Sequence, residues 1–219
     1  MPNSESFRII RSPRRKRLAM RIGDDGILEL LAPPSCPESL LRQTVVRESD
    51  AIARLRRQFV RHVPPDLSEN APFLLLGRPY PLHLTRRLRL FDHGFLIPDG
   101  SAEEKKSALI TLYRELAKSL IPPRVAMFRD RFAVGPEKIN INTASTRWGS
   151  CSARRTLSFS WKLIQCPPDT VDYVVVHELS HLEEMNHSPA FWRKVASVLP
   201  DYAARRAELR VFARTLPRW

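Results

Sequence analysis

A short histidine pattern in the last third of the chain constrains the fold more than any other feature of the sequence. Residues 177–181 read His-Glu-Leu-Ser-His, in a segment whose apolar residues, such as Val171, Val174 and Leu182, recur at helical spacing. Two histidines four residues apart lie one turn apart on the same face of a helix, so their imidazoles can converge on one ion. The pattern therefore predicts a helix that presents two metal ligands.

The residue types of this pattern indicate zinc. Neutral imidazoles suit Zn²⁺, and a catalytic zinc site takes three protein ligands and leaves one position for water. Glu178 directly follows His177 and stands beside that position, where it can take a proton from the water. We therefore expect His177 and His181 to be ligands and Glu178 to be the general base of a hydrolase. The alternative is a pair of hydrogen-bonded core histidines.

A third ligand is expected a short distance along the chain. His187 follows His181 by six residues, beyond a predicted helix end at Met185-Asn186. Asparagine tolerates left-handed backbone geometry, so the chain can turn there and bring His187 back to the ion. Glu183 and Glu184 are alternative third ligands, but both project less well toward an ion held by the two histidines.

Composition and charge set limits but do not decide function. The 219 residues are 43% hydrophobic and 27% charged, which is ordinary for a soluble globular protein. The chain has no apolar run of membrane-spanning length, and residues 1–17 lack a signal-peptide core, so a cytoplasmic location without membrane association is expected. Three cysteines without a CxxC pair predict reduced thiols.

The net charge of +13 is spread along the chain, with 17 Lys/Arg against 11 Asp/Glu in residues 1–100 and 19 against 12 in residues 101–219. Such charge can attract nucleic acid or phosphates, or it can simply form a solvated surface.

The first hundred residues predict a β-rich N-terminal region with one long helix. A hairpin is expected over residues 18–31, a helix over 37–60, and short strands over 73–76, 81–84 and 88–90. The chain changes character at residue 100, so we place a domain boundary there, between residues 1–100 and 101–219.

Residues 101–219 alternate helix signals with two strands. Ser101 and Glu104 form a capping-box pattern that begins a helix to about residue 120, and Pro122-Pro123 is expected to end it before a second helix to residue 132. Strands are predicted over 138–142 and 157–161. Three more helices are expected to begin at Asp169 or Thr170, at Ser188-Pro189 and at Pro200-Asp201.

Three blocks of this region resemble a known family. Residues 146–152 read Thr-Arg-Trp-Gly-Ser-Cys-Ser, 173–181 contain the histidine pattern, and 186–192 read Asn-His-Ser-Pro-Ala-Phe-Trp. In order and spacing they resemble the YgjP-like metal-dependent hydrolases, relatives of the SprT and WLM zinc metallopeptidases. Residues 75–80, Leu-Leu-Gly-Arg-Pro-Tyr, are similar to the family's upstream segment.

The resemblance implies an α+β fold with a zincin-like metallopeptidase core, in which the HExxH helix packs against a small sheet. It implies His177, His181 and His187 as ligands of Zn²⁺ and Glu178 as the catalytic base. Arg147 is expected at the rim, where it either binds a substrate carboxylate or phosphate, stabilises developing negative charge, or makes a structural ion pair.

Several substrates remain open at this point. A metallopeptidase acting on a peptide or protein is favoured, with the strand over 157–161 expected to dock the peptide by edge pairing. A nucleoside triphosphate pyrophosphohydrolase of the YgjP type would suit the arginine excess, although triphosphate sites favour Mg²⁺ and oxygen ligands. A DNA-associated SprT-like protease is a third reading, and a non-enzymatic zinc module is the least favoured. The oligomeric state is not predicted.

Overall fold

Contacts within the chain divide it into two compact units, Met1–Pro64 and Pro65–Pro217. The computed structural model describes residues 7–23, 25–58, 65–91, 93–144 and 147–217. Within those ranges the chain forms six α-helices and ten strands, the strands being arranged in three small sheets. By contacts, the strands of residues 72–98 belong with the second unit, whereas the boundary predicted from the sequence follows residue 100.

The N-terminal unit contains three strands, β1 (Phe7–Arg11), β2 (Ala19–Ile22) and β3 (Leu28–Ala32). They form a sheet in the order β1-β3-β2. The predicted hairpin is confirmed, because β2 pairs antiparallel with β3 and places Met20 opposite Leu30. A parallel strand, β1, covers the other edge of β3, and all five residues of β3 are buried.

Two helices stand where one long helix was predicted, so that expectation is wrong. The chain leaves helical geometry at Glu48, between α1 (Glu38–Arg47) and α2 (Ser49–Gln58). Leu41 and Ile52 bury in the same apolar cluster as the sheet. In one straight helix they would lie about 16 Å apart along the axis, so a break lets both reach a small core.

The second unit begins with four strands, β4 (Pro72–Leu75), β5 (Arg78–Thr85), β6 (Arg89–Phe91) and β7 (Gly94–Pro98). They form a sheet in the order β4-β5-β7-β6. The three strands predicted here are confirmed, and β7, which the sequence did not indicate, pairs parallel with β5 inside the sheet. The sequence also indicates a turn at residues 92–94, of which Asp92 lies outside the described residues.

A long helix, α3 (Ala102–Arg129), follows the sheet and passes through Pro122-Pro123 without ending. The predicted capping box of Ser101 and Glu104 is confirmed, but the predicted break at the prolines is wrong. Tertiary burial explains the continuity, because the helix keeps one face in the core on both sides of the prolines and this offsets the lost backbone hydrogen bonds. The core positions around the prolines are Ala117, Ile121 and Val125.

The third sheet has the order β8-β10-β9. Both predicted strands are present as β8 (Lys138–Asn142) and β10 (Thr156–Ser160), and a short strand that was not predicted, β9 (Gly149–Cys151), pairs with β10. The expectation that residues 157–161 form a free edge is wrong, because β10 is hydrogen-bonded on both sides. Thr146, in the block before β9, lies outside the described residues.

Three helices complete the unit after a 3₁₀ turn at Trp161–Gln165: α4 (Pro168–Ser180), α5 (Pro189–Val198) and α6 (Tyr202–Thr215). The N-cap of α4 is Pro167. The predicted caps Asp169 and Thr170 are therefore wrong, because proline at the first helical position lets the helix begin earlier. Within the described ranges, no helix combines the length and apolar character needed to cross a membrane.

Candidate metal centre

Three histidines converge at the end of α4. One ring nitrogen from each of His177, His181 and His187 lies within 4.8 Å of the others, and the Nε2 atoms of His177 and His187 are 3.1 Å apart. A tetrahedral zinc ion with Zn–N bonds of about 2.0–2.1 Å separates its nitrogen ligands by roughly 3.3 Å. Among the described residues, these three histidines form the group of His, Cys, Asp or Glu side chains that could hold a metal ion. The donor set and spacing fit one metal ion.

The helix fixes two of these rings, and hydrogen bonding orients one of them. His181 stands at the C-cap of α4, and its Nδ1 lies 3.0 Å from the carbonyl oxygen of Glu184. A carbonyl only accepts, so Nδ1 carries the proton and the lone pair of Nε2 is directed elsewhere. The Nδ1 of His177 is buried, and no residue in the described part of the chain hydrogen-bonds to it.

Tight turns return the chain to the helix and place His187. After α4, the backbone N–H groups of Leu182 and Glu184 donate to carbonyls of the last helical turn. The predicted left-handed Asn186 is wrong: outside glycine, positive φ angles among the described residues occur at Asn70, Leu76 and Arg155. The turn is made without a left-handed residue and is stabilised by these hydrogen bonds.

The next helix begins immediately after the third histidine. Ser188 is the N-cap of α5 and its Oγ accepts a hydrogen bond from the backbone N–H of Phe191 at 3.3 Å, which confirms the predicted cap. The cap fixes the backbone next to His187. The position of the third ring is therefore tied to the start of α5.

Aromatic side chains from α5 form the wall of the cluster. Phe191 is fully buried, with its ring centroid 4.9 Å from that of His177 and 4.5 Å from that of His181. Trp192 stacks on His187 at 5.7 Å. Burial, with smaller contributions from the neighbouring histidines, lowers the pKa of His177 to about 3. The imidazole is therefore neutral at ordinary pH, as a metal ligand must be.

Glu178 lies beside the histidines with its carboxyl group enclosed. The side chain is buried, and its Oε2 has no hydrogen-bond partner in the described part of the chain. Burial raises the pKa of Glu178 to about 8, and the charge of Arg147 opposes that rise. A nearby cation would favour the ionised form of this carboxyl group. Burial outweighs the charge of Arg147, so this carboxyl group holds its proton more tightly than an exposed glutamate does.

Two clefts open on either side of Glu178. The triad cleft, of about 280 Å³, and a second cleft, of about 260 Å³, share Gly149, His177 and Glu178. The triad cleft is also lined by Ser150, Cys151, His181, Met185 and His187. The second cleft is also lined by Arg147, Trp148, Tyr173, Val174 and Leu209.

The alternative ligands are engaged elsewhere. The carboxylate of Glu183 accepts from the backbone N–H of Ala133 at 2.7 Å and pairs with Lys194 at 3.0 Å. Glu184 contacts the histidine cluster through its backbone carbonyl, which is the hydrogen-bond partner of His181.

Cys151 has a free thiol that lines the triad cleft. Burial and, to a smaller extent, the charge of Glu178 raise the pKa of this thiol.

Arg147 is exposed at the second cleft, and no ion pair to it is found among the described residues. The sequence block that contains Arg147 also contains Gly149 and β9, and the sequence did not predict that Gly149 contacts Glu178. The contributions of Trp192 and of α6 were missed as well, because no local pattern indicates which distant residues reach a cleft.

The end of α4 and the turn before α5 bring three histidines together beside a buried glutamate and a small sheet, an arrangement typical of metal-dependent hydrolases. The chain matches the model of the YgjP-like family, metallopeptidase domain, over residues 16–212, and it belongs to that family.

One solved structure is similar, the metallopeptidase zymogen abylysin of Pyrococcus abyssi, with 20% identity and a TM-score of 0.39. That likeness covers 45% of this chain and 97% of abylysin. Comparison with curated proteins gives no match.

Proposed function

We propose that this chain is a zinc-dependent metallopeptidase in which His177, His181 and His187 hold the ion and Glu178 is the general base. The observation that carries the proposal is the enclosed carboxyl group of Glu178 beside three imidazole nitrogens within 4.8 Å of one another. Membership of a metallopeptidase family supports an amide bond as the target.

The donor set favours zinc over other common ions. Three neutral imidazoles suit Zn²⁺, whereas Mg²⁺ and Ca²⁺ select oxygen ligands. When bound, zinc supplies a Lewis acid that polarises the scissile carbonyl and makes water more acidic. The aromatic wall of Phe191 and Trp192 excludes solvent from one side of the histidines, which keeps the rings neutral and oriented.

Glu178 handles the proton in this proposal. Burial alone favours the protonated form of Glu178, whereas a zinc ion bound by the histidines would favour its carboxylate. That carboxylate would accept a proton from the attacking water, and the resulting carboxylic acid would donate it to the leaving amine. The enclosing residues, above all Gly149, hold the carboxyl group at the boundary of the two clefts.

The edge strand β9 is the proposed docking site for an extended peptide. β9 pairs with β10 along one edge, and its residues line the triad cleft. A substrate strand that hydrogen-bonds to the other edge would pass the histidines. The docking strand is thus β9 instead of residues 157–161.

A second candidate is hydrolysis of a phosphoanhydride, as in a nucleoside triphosphate pyrophosphohydrolase. The exposed guanidinium of Arg147 beside Glu178 favours it, since arginine pairs well with phosphate. The three-histidine donor set speaks against it, because triphosphates are normally handled with Mg²⁺ and oxygen ligands. In the metallopeptidase, Arg147 would stabilise negative charge on the substrate.

The experiment compares wild-type protein with Glu178→Gln, each loaded with zinc, in assays of casein cleavage and nucleoside triphosphate hydrolysis. We expect casein cleavage by the wild type and a loss of at least about 100-fold in the variant, with the same zinc content. Triphosphate turnover without proteolysis would establish the second candidate. Absence of both activities in the zinc-loaded wild type would reject the proposed function.

A further inference from the structure

The second cleft has a polar side that lies outside the three histidines. Its lining comes from three elements: Arg147 precedes β9, Tyr173 belongs to α4, and Leu209 belongs to α6. The cleft meets the triad cleft at Glu178. A group bound here would therefore be part of a molecule that also reaches the histidines.

Helix α6 carries two more arginines on the face that reaches this cleft. Arg206 and Arg210 are four residues apart, and Leu209, which lines the cleft, lies between them on the same helix face. The guanidinium carbon of Arg206 lies 4.7 Å from the centre of the Trp192 ring. Burial raises the pKa of Tyr173 in the cleft, and the charges of Arg206 and Arg210 oppose that rise.

Among the described residues, no acidic side chain forms an ion pair with Arg147, Arg206 or Arg210. Other exposed arginines of the unit, such as Arg78 and Arg193, also have none, whereas Arg124 pairs with Asp172, and Arg205 with Asp169 and Asp201. Glu208, which lies between Arg206 and Arg210 on α6, bonds to Thr170 instead. Three like charges around one cleft repel one another, and a bound anion would relieve that repulsion.

We propose that this arginine cleft, formed by Arg147, Arg206 and Arg210 around Tyr173, binds an anionic oxygen group of the substrate, a carboxylate or a phosphate. Guanidinium forks bind either group through paired hydrogen bonds. The inference rests on the proposed function, since it takes the triad as the place of bond cleavage. The substrate is then a molecule with its anionic group a short distance from the scissile bond, such as a peptide cut near its C-terminal carboxylate.

Binding without turnover tests this inference. Calorimetry on the full-length, zinc-loaded Glu178→Gln protein would use three probes: a peptide with a free C-terminal carboxylate, the same peptide amidated, and inorganic tripolyphosphate. We expect the carboxylate peptide to bind at least about tenfold more tightly than the amide, or tripolyphosphate to bind in its place. Adding Arg206→Gln and Arg210→Gln should weaken that binding about tenfold or more.

The matched control is Arg86→Gln with Arg87→Gln, which removes the same charge from an exposed turn and should leave affinity unchanged. Arg210→Gln alone, with zinc content measured, shows that the effect does not pass through Trp192 and the histidines. A preference for the carboxylate peptide identifies a peptide end, and binding of tripolyphosphate identifies a phosphate group. Equal binding of both peptides with no tripolyphosphate bound overturns the inference. An equal loss of affinity in the Arg206/Arg210 variant and in the Arg86/Arg87 control also overturns it. If anions bind as expected but the wild type hydrolyses nothing, the arginine cleft stands and the proposed function fails.

Discussion

The side chain of Glu178 occupies the space that a Cβ atom at Gly149 would need. An ideal Cβ there would lie 2.5 Å from Oε1 and 2.7 Å from Cγ of Glu178, both inside van der Waals contact. The carboxyl group is buried in this position. A residue without a side chain in β9 is therefore what allows the carboxyl group to lie between the sheet and the histidines.

Replacing Gly149 with alanine should displace the carboxyl group without touching the metal ligands. Because a misplacement of about 1 Å can reduce catalysis by about 100-fold, we expect kcat to fall by roughly that factor while zinc content stays the same. Steady-state kinetics and metal analysis check this. Gly135→Ala is the control, because its Cβ would meet the flexible side chain of Arg129. Undiminished kcat in Gly149→Ala would contradict the position assigned to Glu178.

Removing the third histidine should weaken metal binding strongly. Loss of a residue that only hydrogen-bonds to a metal ligand typically weakens metal binding by about 10–100-fold. Because His187 is itself a proposed ligand, we expect His187→Ala to reduce zinc affinity by more than about 100-fold. Competition with a zinc chelator of known affinity measures the loss. His83→Ala, which removes a histidine bonded to Glu69, should bind zinc like the wild type. Equal affinity in both variants would remove His187 from the site.

The cap of α5 should contribute to stability next to the third ligand. Ser188→Ala removes the acceptor for the N–H of Phe191, which costs about 1 kcal/mol of unfolding free energy. Urea denaturation of the metal-free protein measures it. Ser197→Ala, at an exposed position in the same helix, should change stability by less than about 0.5 kcal/mol. A loss no greater than that of the control would show that the cap is not formed in solution.

The helix that carries Glu178 should depend on its buried core side chains. Leu179 is fully buried, so Leu179→Ala should lower the unfolding free energy by about 2–5 kcal/mol. The exposed Val211 offers a contrast, since Val211→Ala should have an effect below about 0.5 kcal/mol. Similar losses in both variants would contradict the packing of α4.

Local patterns allowed much of the site to be predicted. The spacing of His177 and His181, the position of Glu178 and the cap at Ser188 all follow from the periodicity of one helix and the start of the next. These features depend on neighbours within a few residues. The structure brings His187 to the other two rings, as the sequence suggested, although by ordinary turns instead of a left-handed residue.

Features that depend on distant contacts could not be predicted. Helix α3 continues through Pro122-Pro123 because its core face is buried. The long helix predicted near the N-terminus is interrupted at Glu48, because Leu41 of α1 and Ile52 of α2 share a small core. β9 is three residues long, too short for an alternating pattern to reveal it. The approach of Arg206 and Arg210 to the second cleft results from the packing of α6 on α4, which no local pattern encodes.

Binding of one zinc ion by three histidines beside Glu178 can be observed in crystals of the zinc-loaded protein, measured at energies above and below the zinc absorption edge. We expect one anomalous peak about 2.0–2.1 Å from a ring nitrogen of each of His177, His181 and His187. A peak bound by other side chains, or one that leaves any of these histidines out, would rule out the proposed metal centre.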